Sequence, residues 1–234
     1  MNIVITGATK GIGRAIAAYF AKTGATLFVC ARNYEALRTL KDALNDLNPA
    51  ARIHIKTADV SKKGEVVAFA AFIKRQTEQI HILVNNAGLF VQGSMLEEAD
   101  GILENMMATN VYSAYHLTRA LLPLCEAADK SHIFNMCSVA SKHIFPNCGT
   151  YSISKFALLG FSKALRAEVK EKNIRVTALL PGATWSNSWA GVDLPAARLM
   201  AAADIAQVIW DTYHLSDTVV VEEIVLRPQL GDLD

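Results

Sequence analysis

Short apolar runs alternate along this chain with longer stretches in which apolar residues recur every three or four positions. The runs are residues 2–6, Thr26–Ala31, Ile53–Thr57, His81–Val84, Ile133–Cys137, Ile174–Leu180 and Thr218–Val225, and their length suits buried strands. Between them the spacing predicts helices. The first is marked by Ile12, Ala15, Ile16 and Tyr19, the second by Leu37, Leu40, Leu44 and Leu47, and the third covers 64–78. A long helical stretch follows from Asp100 to Ala127, with Ile102, Met106, Leu117, Leu121 and Leu124 as its apolar positions. The next helix starts near Tyr151 and carries Phe156, Gly160, Phe161, Ala164, Leu165 and Val169 as its expected buried face; the last spans Asp204–Leu215. Strand follows helix throughout, with no repeat, linker or low-complexity segment. That order predicts parallel strands joined by right-handed crossovers. The expectation is an α/β fold: a single doubly wound domain over residues 1–234, with a seven-stranded parallel sheet flanked by helices on both faces.

The punctuation between these elements adds chemistry. The first strand runs into Thr6-Gly7-Ala8-Thr9-Lys10-Gly11-Ile12-Gly13 and then a helix. Strand, glycine turn and helix open a dinucleotide-binding unit. Gly7 permits the tight turn, Gly11 a close approach of backbone to pyrophosphate, and Gly13 close packing of helix on sheet. The helix N-terminus offers N–H groups and a positive dipole end to phosphates. Behind the second strand stand Ala31 and Arg32, with no carboxylate to bind ribose hydroxyls. With Lys10, that makes two cations and no acid, a pattern for the 2′-phosphate of NADP(H). Asp59, at the end of the third strand beside Val60, can accept a bond from an adenine amino group or cap the next helix, as Ser61 can. Asn85-Asn86-Ala87-Gly88 ends the fourth strand, where open α/β sheets bind ligands. Asn110 lies inside the long helix, a poor place for Asn by propensity, and so is expected to be held for hydrogen bonding.

Tyr151 and Lys155 are four apart on a helix and so share one surface. A free phenol holds its proton until about pH 10. A cation beside it stabilises the phenolate, which lets a Tyr exchange a proton at cellular pH. His143 and Cys148 lie between Ser138 and Tyr151; His143 is read as an exposed loop residue and Cys148 as an inert thiol. Trp185 and Trp189 suit either an apolar substrate wall or packing on the protein or a neighbouring subunit.

Bulk properties narrow the partners. The chain has 234 residues, 52% hydrophobic and 19% charged, which suits a sheet buried on both faces. Its 23 basic and 22 acidic residues leave a formal charge of +1, so nothing argues for a nucleic-acid or membrane surface. No apolar run reaches the roughly 18 residues of a membrane span, and the first strand begins at once, which leaves no room for a signal peptide. The four cysteines, Cys30, Cys125, Cys137 and Cys148, have no metal-site or disulfide-framework spacing, and the histidines share no ligand spacing. Free thiols in a reducing cytoplasm, and no metal, are the expectation.

Taken together, the glycine turn, the Asn85–Gly88 run, Asn110, Ser138, Tyr151-x-x-x-Lys155 and Pro181-Gly182 resemble the short-chain dehydrogenase/reductase family in order and spacing over nearly the whole chain. The resemblance implies a Rossmann-type catalytic domain and a catalytic set of Asn110, Ser138, Tyr151 and Lys155. Ser138 would bond the carbonyl oxygen, Tyr151 would deliver the proton, Lys155 would support Tyr151 and hold the nicotinamide ribose, and Asn110 would fix a relay water. It further implies an NADP(H) site lined by Gly7, Thr9, Lys10, Gly11, Ile12, Gly13, Arg32, Asp59, Val60, Asn86, Ala87, Gly88, Tyr151, Lys155, Pro181, Gly182 and Thr184. Residues 183–200 would form a short substrate lid. The substrate implied is a small carbonyl or acyl thioester. The chain looks most like 3-oxoacyl-(acyl-carrier-protein) reductases, with sepiapterin-like and diketone reductases as alternatives. The ending Glu223–Gln229 departs from the glycine-rich tail of the acyl-carrier enzymes. Relatives also imply a homodimer or homotetramer through the long helix and the Tyr151 helix. A non-catalytic NADP(H)-binding sensor is the reading from a different class.

Overall fold

The computed structural model describes residues 1–185, 195 and 198–232. Its centre is one sheet of seven parallel strands, β1 (Asn2–Thr6), β2 (Thr26–Ala31), β3 (Arg52–Thr57), β4 (Ile82–Asn85), β5 (Ser131–Met136), β6 (Ile174–Pro181) and β7 (Glu223–Leu226), in the order β3-β2-β1-β4-β5-β6-β7. The order reverses between β1 and β4, whose register pairs Ile3 with Ile82 and Ile5 with Val84. A Rossmann-like α/β sheet results, and the crevice at the reversal is where such sheets hold ligands.

Side chains alternate between two apolar layers, as the pleat requires. Ile3, Ile5, Leu27, Val29, Ile82 and Val84 face one layer with Ile16, Phe20, Leu37, Leu44 and Ile209. Val4, Phe28, Leu83 and Ile133 face the other with Phe69, Ile73, Leu117, Leu121 and Val169. Helices α1 (Gly11–Lys22), α2 (Tyr34–Leu47) and α7 (Ala202–His214) therefore cover the first face, and α3 (Lys63–Lys74), α5 (Ser113–Glu126) and α6 (Gly149–Val169) the second. Helix α2 starts where Asn33 Oδ1 accepts the Ala36 N–H at 2.8 Å, an N-cap worth about 1 kcal/mol.

Four expectations are corrected. The third helix ends at Lys74, not residue 78: Gln76 N and Thr77 N both turn back to the Ile73 carbonyl, and Thr77 with the Gln79 carbonyl takes the Asn2 side chain. The last strand is Glu223–Leu226, not Thr218–Val225, because residues 216–219 are exposed and pair with nothing in the sheet. The long helix is not one regular rod: α4 (Ile102–Met107) passes through a five-residue π segment, Ala108–Tyr112, before α5. The buried face of α6 is Ser152, Ser154, Lys155, Leu158, Leu159, Ser162, Leu165 and Val169, while Phe156, Gly160 and Ala164 face outward. Ser154, Lys155 and Ser162 turn inward because each finds a hydrogen-bond partner there. Of the expected lid, residues 186–194 and 196–197, Trp189 among them, lie outside the described residues.

Candidate active site

The glycine turn leaves β1 with Gly7 at φ +66° and Gly11 at φ +51°, left-handed values that a side chain resists. Gly7 N donates to the Cys30 carbonyl at 3.0 Å, which ties the turn to the end of β2. Lys10 is the N-cap of α1 but gives no side-chain cap, and the first turn holds no acid. The N–H groups of that turn therefore keep their capacity for an anion, and the residues present fit a pyrophosphate. Gly13 lets α1 meet the turn: a Cβ there would overlap the Gly7 carbonyl oxygen and lie 2.5 Å from Asn86 Nδ2.

The Asn86–Gly88 run is bound to the same turn. Asn86 Nδ2 donates to the Thr6 and Gly7 carbonyls at 2.8 and 3.2 Å, and Thr6 Oγ1 accepts from Asn86 N and Ala87 N at 3.0 and 2.9 Å. Thr6 has no apolar or charged signature, so its role was not legible without the fold. Farther along the crevice, Arg32 is exposed just past β2 and near Asp59 at the end of β3. Burial alone would raise the Asp59 carboxyl, but bonds from Ser61 N and Oγ outweigh it, and Lys62 and Arg32 add their charge, so it is held below the usual range. Of the two uses open to Asp59, the structure supplies the local turn, through Oδ1. Thr9 and Ile12 in the glycine turn and Val60 next to Asp59 are half-buried. At the other end, Pro181 closes β6, Gly182 N donates to the Leu226 carbonyl at 2.7 Å, and Thr184 Oγ1 donates to the Gly182 carbonyl at 3.0 Å.

Four more residues stand on the segments that follow β4 and β5 and on α6. Lys155 is 4% exposed; its Nζ donates to the Met136 carbonyl at 2.7 Å and lies 5.6 Å from the Tyr151 ring centre. Asn110 lies in the π segment, a bulge type that recurs at functional sites. Its Oδ1 accepts from Leu89 N at 2.7 Å, and its Nδ2 donates to the Leu89 carbonyl at 3.0 Å and to Ser154 Oγ at 2.9 Å. Ser154 Oγ in turn donates to the Tyr151 carbonyl at 2.7 Å, so Asn110 braces the first turns of α6. A Cβ on Gly88 would stand 3.5 Å from Asn110 Oδ1 and 3.7 Å from Lys155 Nζ. Ser138, just past β5, caps the 3-10 turn Val139–Ser141: its Oγ accepts from Ala140 N at 3.1 Å, and its own N–H donates to Ser141 Oγ at 3.2 Å. With an N–H already accepted, the Ser138 hydroxyl proton is left to donate.

Sequence spacing did not point to Ser154, Ser141 or Phe90, whose ring stands edge-on to Tyr151 at 4.9 Å. His143 is exposed in the loop after Ser138. Burial pushes Cys30 up to about 12 and Cys125 and Cys137 up to about 11, and raises Cys148, so none is poised as a thiolate. Among the described residues no group of His, Cys, Asp and Glu is placed to hold a metal, and no helix is long and apolar enough to cross a membrane.

Comparisons with known proteins find relatives over nearly the whole chain. The family model for short chain dehydrogenase matches residues 1–194. Sepiapterin reductase of Chlorobaculum tepidum is 34% identical, with 99% of this chain and 97% of the relative aligned. Two solved structures superpose closely. A metagenomic short-chain oxidoreductase in complex with NADP is 27% identical, with a TM-score of 0.85 over 99% of this chain and 98% of that one. L-sorbose reductase from Gluconobacter frateurii, complexed with NADPH and L-sorbose, is 26% identical, with a TM-score of 0.90 over 97% of this chain and 95% of that one.

Proposed function

Because this chain belongs to the short-chain dehydrogenase/reductase family of NAD(P)-dependent oxidoreductases acting on carbonyls and alcohols, we propose that it is an NADP(H)-dependent reductase of small ketones, with Tyr151 as proton donor. The observation that carries the reading is that Lys155 and Asn110 meet beside Gly88, the last residue of the run bound to the glycine turn, with the Tyr151 ring 5.6 Å from Lys155 Nζ. The nicotinamide supplies the hydride when bound. As negative charge grows on the carbonyl oxygen, Ser138 donates a hydrogen bond to it. Tyr151 gives that oxygen its proton, and the Lys155 charge stabilises the phenolate left behind. Lys155 then passes a proton to the phenolate, and a water between Asn110 Oδ1 and Lys155 Nζ, beside Gly88, would return one to Lys155.

The NADP(H) preference is supported by Arg32 and Lys10, both exposed at the adenosine end, and by the NADP and NADPH bound in the two solved relatives. The glycine turn with α1, Asp59, Val60, Asn86–Gly88 and Pro181–Thr184 would line the cofactor. The sepiapterin reductase relative supports a small ketone or dicarbonyl substrate ahead of a thioester on an acyl carrier protein. A homodimer or homotetramer is supported by Tyr112, Tyr115, Ile153 and Phe156, large apolar side chains left more than a third exposed in the π segment, α5 and α6. The chain would work as one catalytic domain, and its free thiols suit the cytoplasm.

The test is NADPH oxidation against ketones, diketones and oxoacyl thioesters. Tyr151→Phe should cut turnover at least about 100-fold while NADPH still binds through the glycine turn and the remaining lining residues. Equal turnover in both proteins would remove Tyr151 as the acid. Tight NADPH binding without turnover of any carbonyl would favour a cofactor sensor.

A further inference from the structure

Phe90 is 45% exposed although its ring packs at 86° to that of Tyr151. Its place is held from both sides. Asn110 clamps both backbone groups of Leu89, and Gly93 N donates to the Asn147 carbonyl at 2.8 Å. The next residues are stitched to the start of α6: Met95 Sδ would lie 3.0 Å from a Cβ on Gly149, and the Glu98 carboxylate accepts from Thr150 Oγ1. The segment 89–98 thus runs along the first turn of α6 and presents one fixed aromatic ring beside the proposed proton donor. A ketone oxygen bonded to Tyr151 brings its two substituents to within a side chain's reach of that ring. Met95 and Leu96 in the same segment, 56% and 86% exposed, are apolar too.

From this geometry, and resting on the reductase reading, we infer that Phe90 selects the substituent on the substrate carbonyl and favours an aryl or similar planar apolar group. A rigid ring already in place stacks on such a group with little loss of freedom, whereas a methyl or a hydroxylated chain gains little from it. The matched probes are diacetyl and acetylbenzoyl, dicarbonyls that differ by a methyl against a phenyl. The wild type should turn over acetylbenzoyl with kcat/KM roughly tenfold or more above diacetyl. Phe90→Ala should bring the two close together, mainly through KM for the phenyl compound, with NADPH affinity and the pH profile of kcat unchanged. If Phe90→Ala loses NADPH affinity, Phe90→Leu, which keeps apolar bulk and removes the ring, carries the same comparison. Calorimetric binding of acetylbenzoyl to the protein with NADP+ bound gives a second readout, expected to weaken roughly tenfold in the variant. An unchanged preference, or equal losses for both ketones, would overturn the inference and leave Phe90 as packing for Tyr151. If the wild type reduces neither compound, the binding measurement still decides the role of Phe90, and the reductase reading is decided separately by the wider panel of carbonyls.

Discussion

A methyl group at residue 13 has no room, because the Gly7 carbonyl and Asn86 Nδ2 already occupy its place. Neither can retreat: one is backbone in a left-handed turn, and the other is committed to two carbonyls. Gly13→Ala should therefore destabilise the fold by about 3 kcal/mol and weaken NADPH binding, read by urea unfolding and a binding titration. Single-residue chemistry also sets a pH limit. Thr177 Oγ1 donates to the Val221 carbonyl at 2.6 Å, so it accepts from His132 at 2.7 Å, which fixes the proton on Nε2. Nδ1 is buried without a partner against the stacked Phe134 ring. Burial first, then the Arg175 and Lys130 charges, hold His132 well below its usual 6.5. Above that value both folded and unfolded chains carry it neutral. Below it only the unfolded chain takes the proton, so stability is lost as pH falls, by at most about 1.4 kcal/mol per unit. Melting temperatures measured from pH 7.5 downward should begin to fall near pH 6.5, and less so in His132→Gln than in the wild type.

At the level of elements, β7 is fastened to its neighbours through one carboxylate. Glu223 pairs with Lys142, beyond the turn that Ser138 caps, and with Lys163 of α6 at 3.0 Å. The Lys142 hydrogen bond, against the opposing effect of burial and helped by Lys163, holds its carboxyl below the ordinary 4.5. Such a group stabilises the fold above its unfolded value and ceases to do so as acid protonates it in the folded state. Glu223→Gln should melt below the wild type from neutrality down to about pH 5, and the gap should close on further acidification; a gap independent of pH would remove the ion pair as its cause. The same strand marks where the sequence was hard to read. Inner strands are buried on both faces and appear as plain apolar runs, but β7 has one neighbour, and Thr218 and Val219, apolar or β-branched like a strand, stay exposed. Helix α6 misled for a different reason. Its outward face is apolar at Phe156, while its inward face holds Ser154, Lys155 and Ser162, whose partners lie in distant segments. Periodicity sees local pattern only. It located Tyr151 and Lys155 but could not find Thr6, eighty residues from Asn86, or Ser154, forty-four from Asn110. Asn110 was legible as an anomaly because a helix interior disfavours it; the π segment is what gives that anomaly a place.

For the molecule as a whole, a cofactor that binds only the folded chain should raise its melting temperature. At a hundred times its dissociation constant, NADPH contributes about 2.7 kcal/mol, which corresponds to roughly 5–10 °C for a chain of this size. Arg32→Ala should remove most of that protection at a fixed NADPH concentration and change protection by NADH little. Equal loss for both would strike the 2′-phosphate contact. The contrast is expected because of how the sheet is ordered. Every residue proposed to recognise the adenosine end, Lys10, Arg32 and Asp59, follows β1, β2 or β3, whereas Asn110, Ser138, Tyr151 and Lys155 all follow β4 or later strands. On the proposed assignment, the reversal between β1 and β4 divides the molecule into a part that would choose the coenzyme and a part that would perform the reaction. Mutations in one need not be compensated in the other, so a lineage built on this sheet can exchange its electron currency, or acquire a new substrate, without rebuilding both at once.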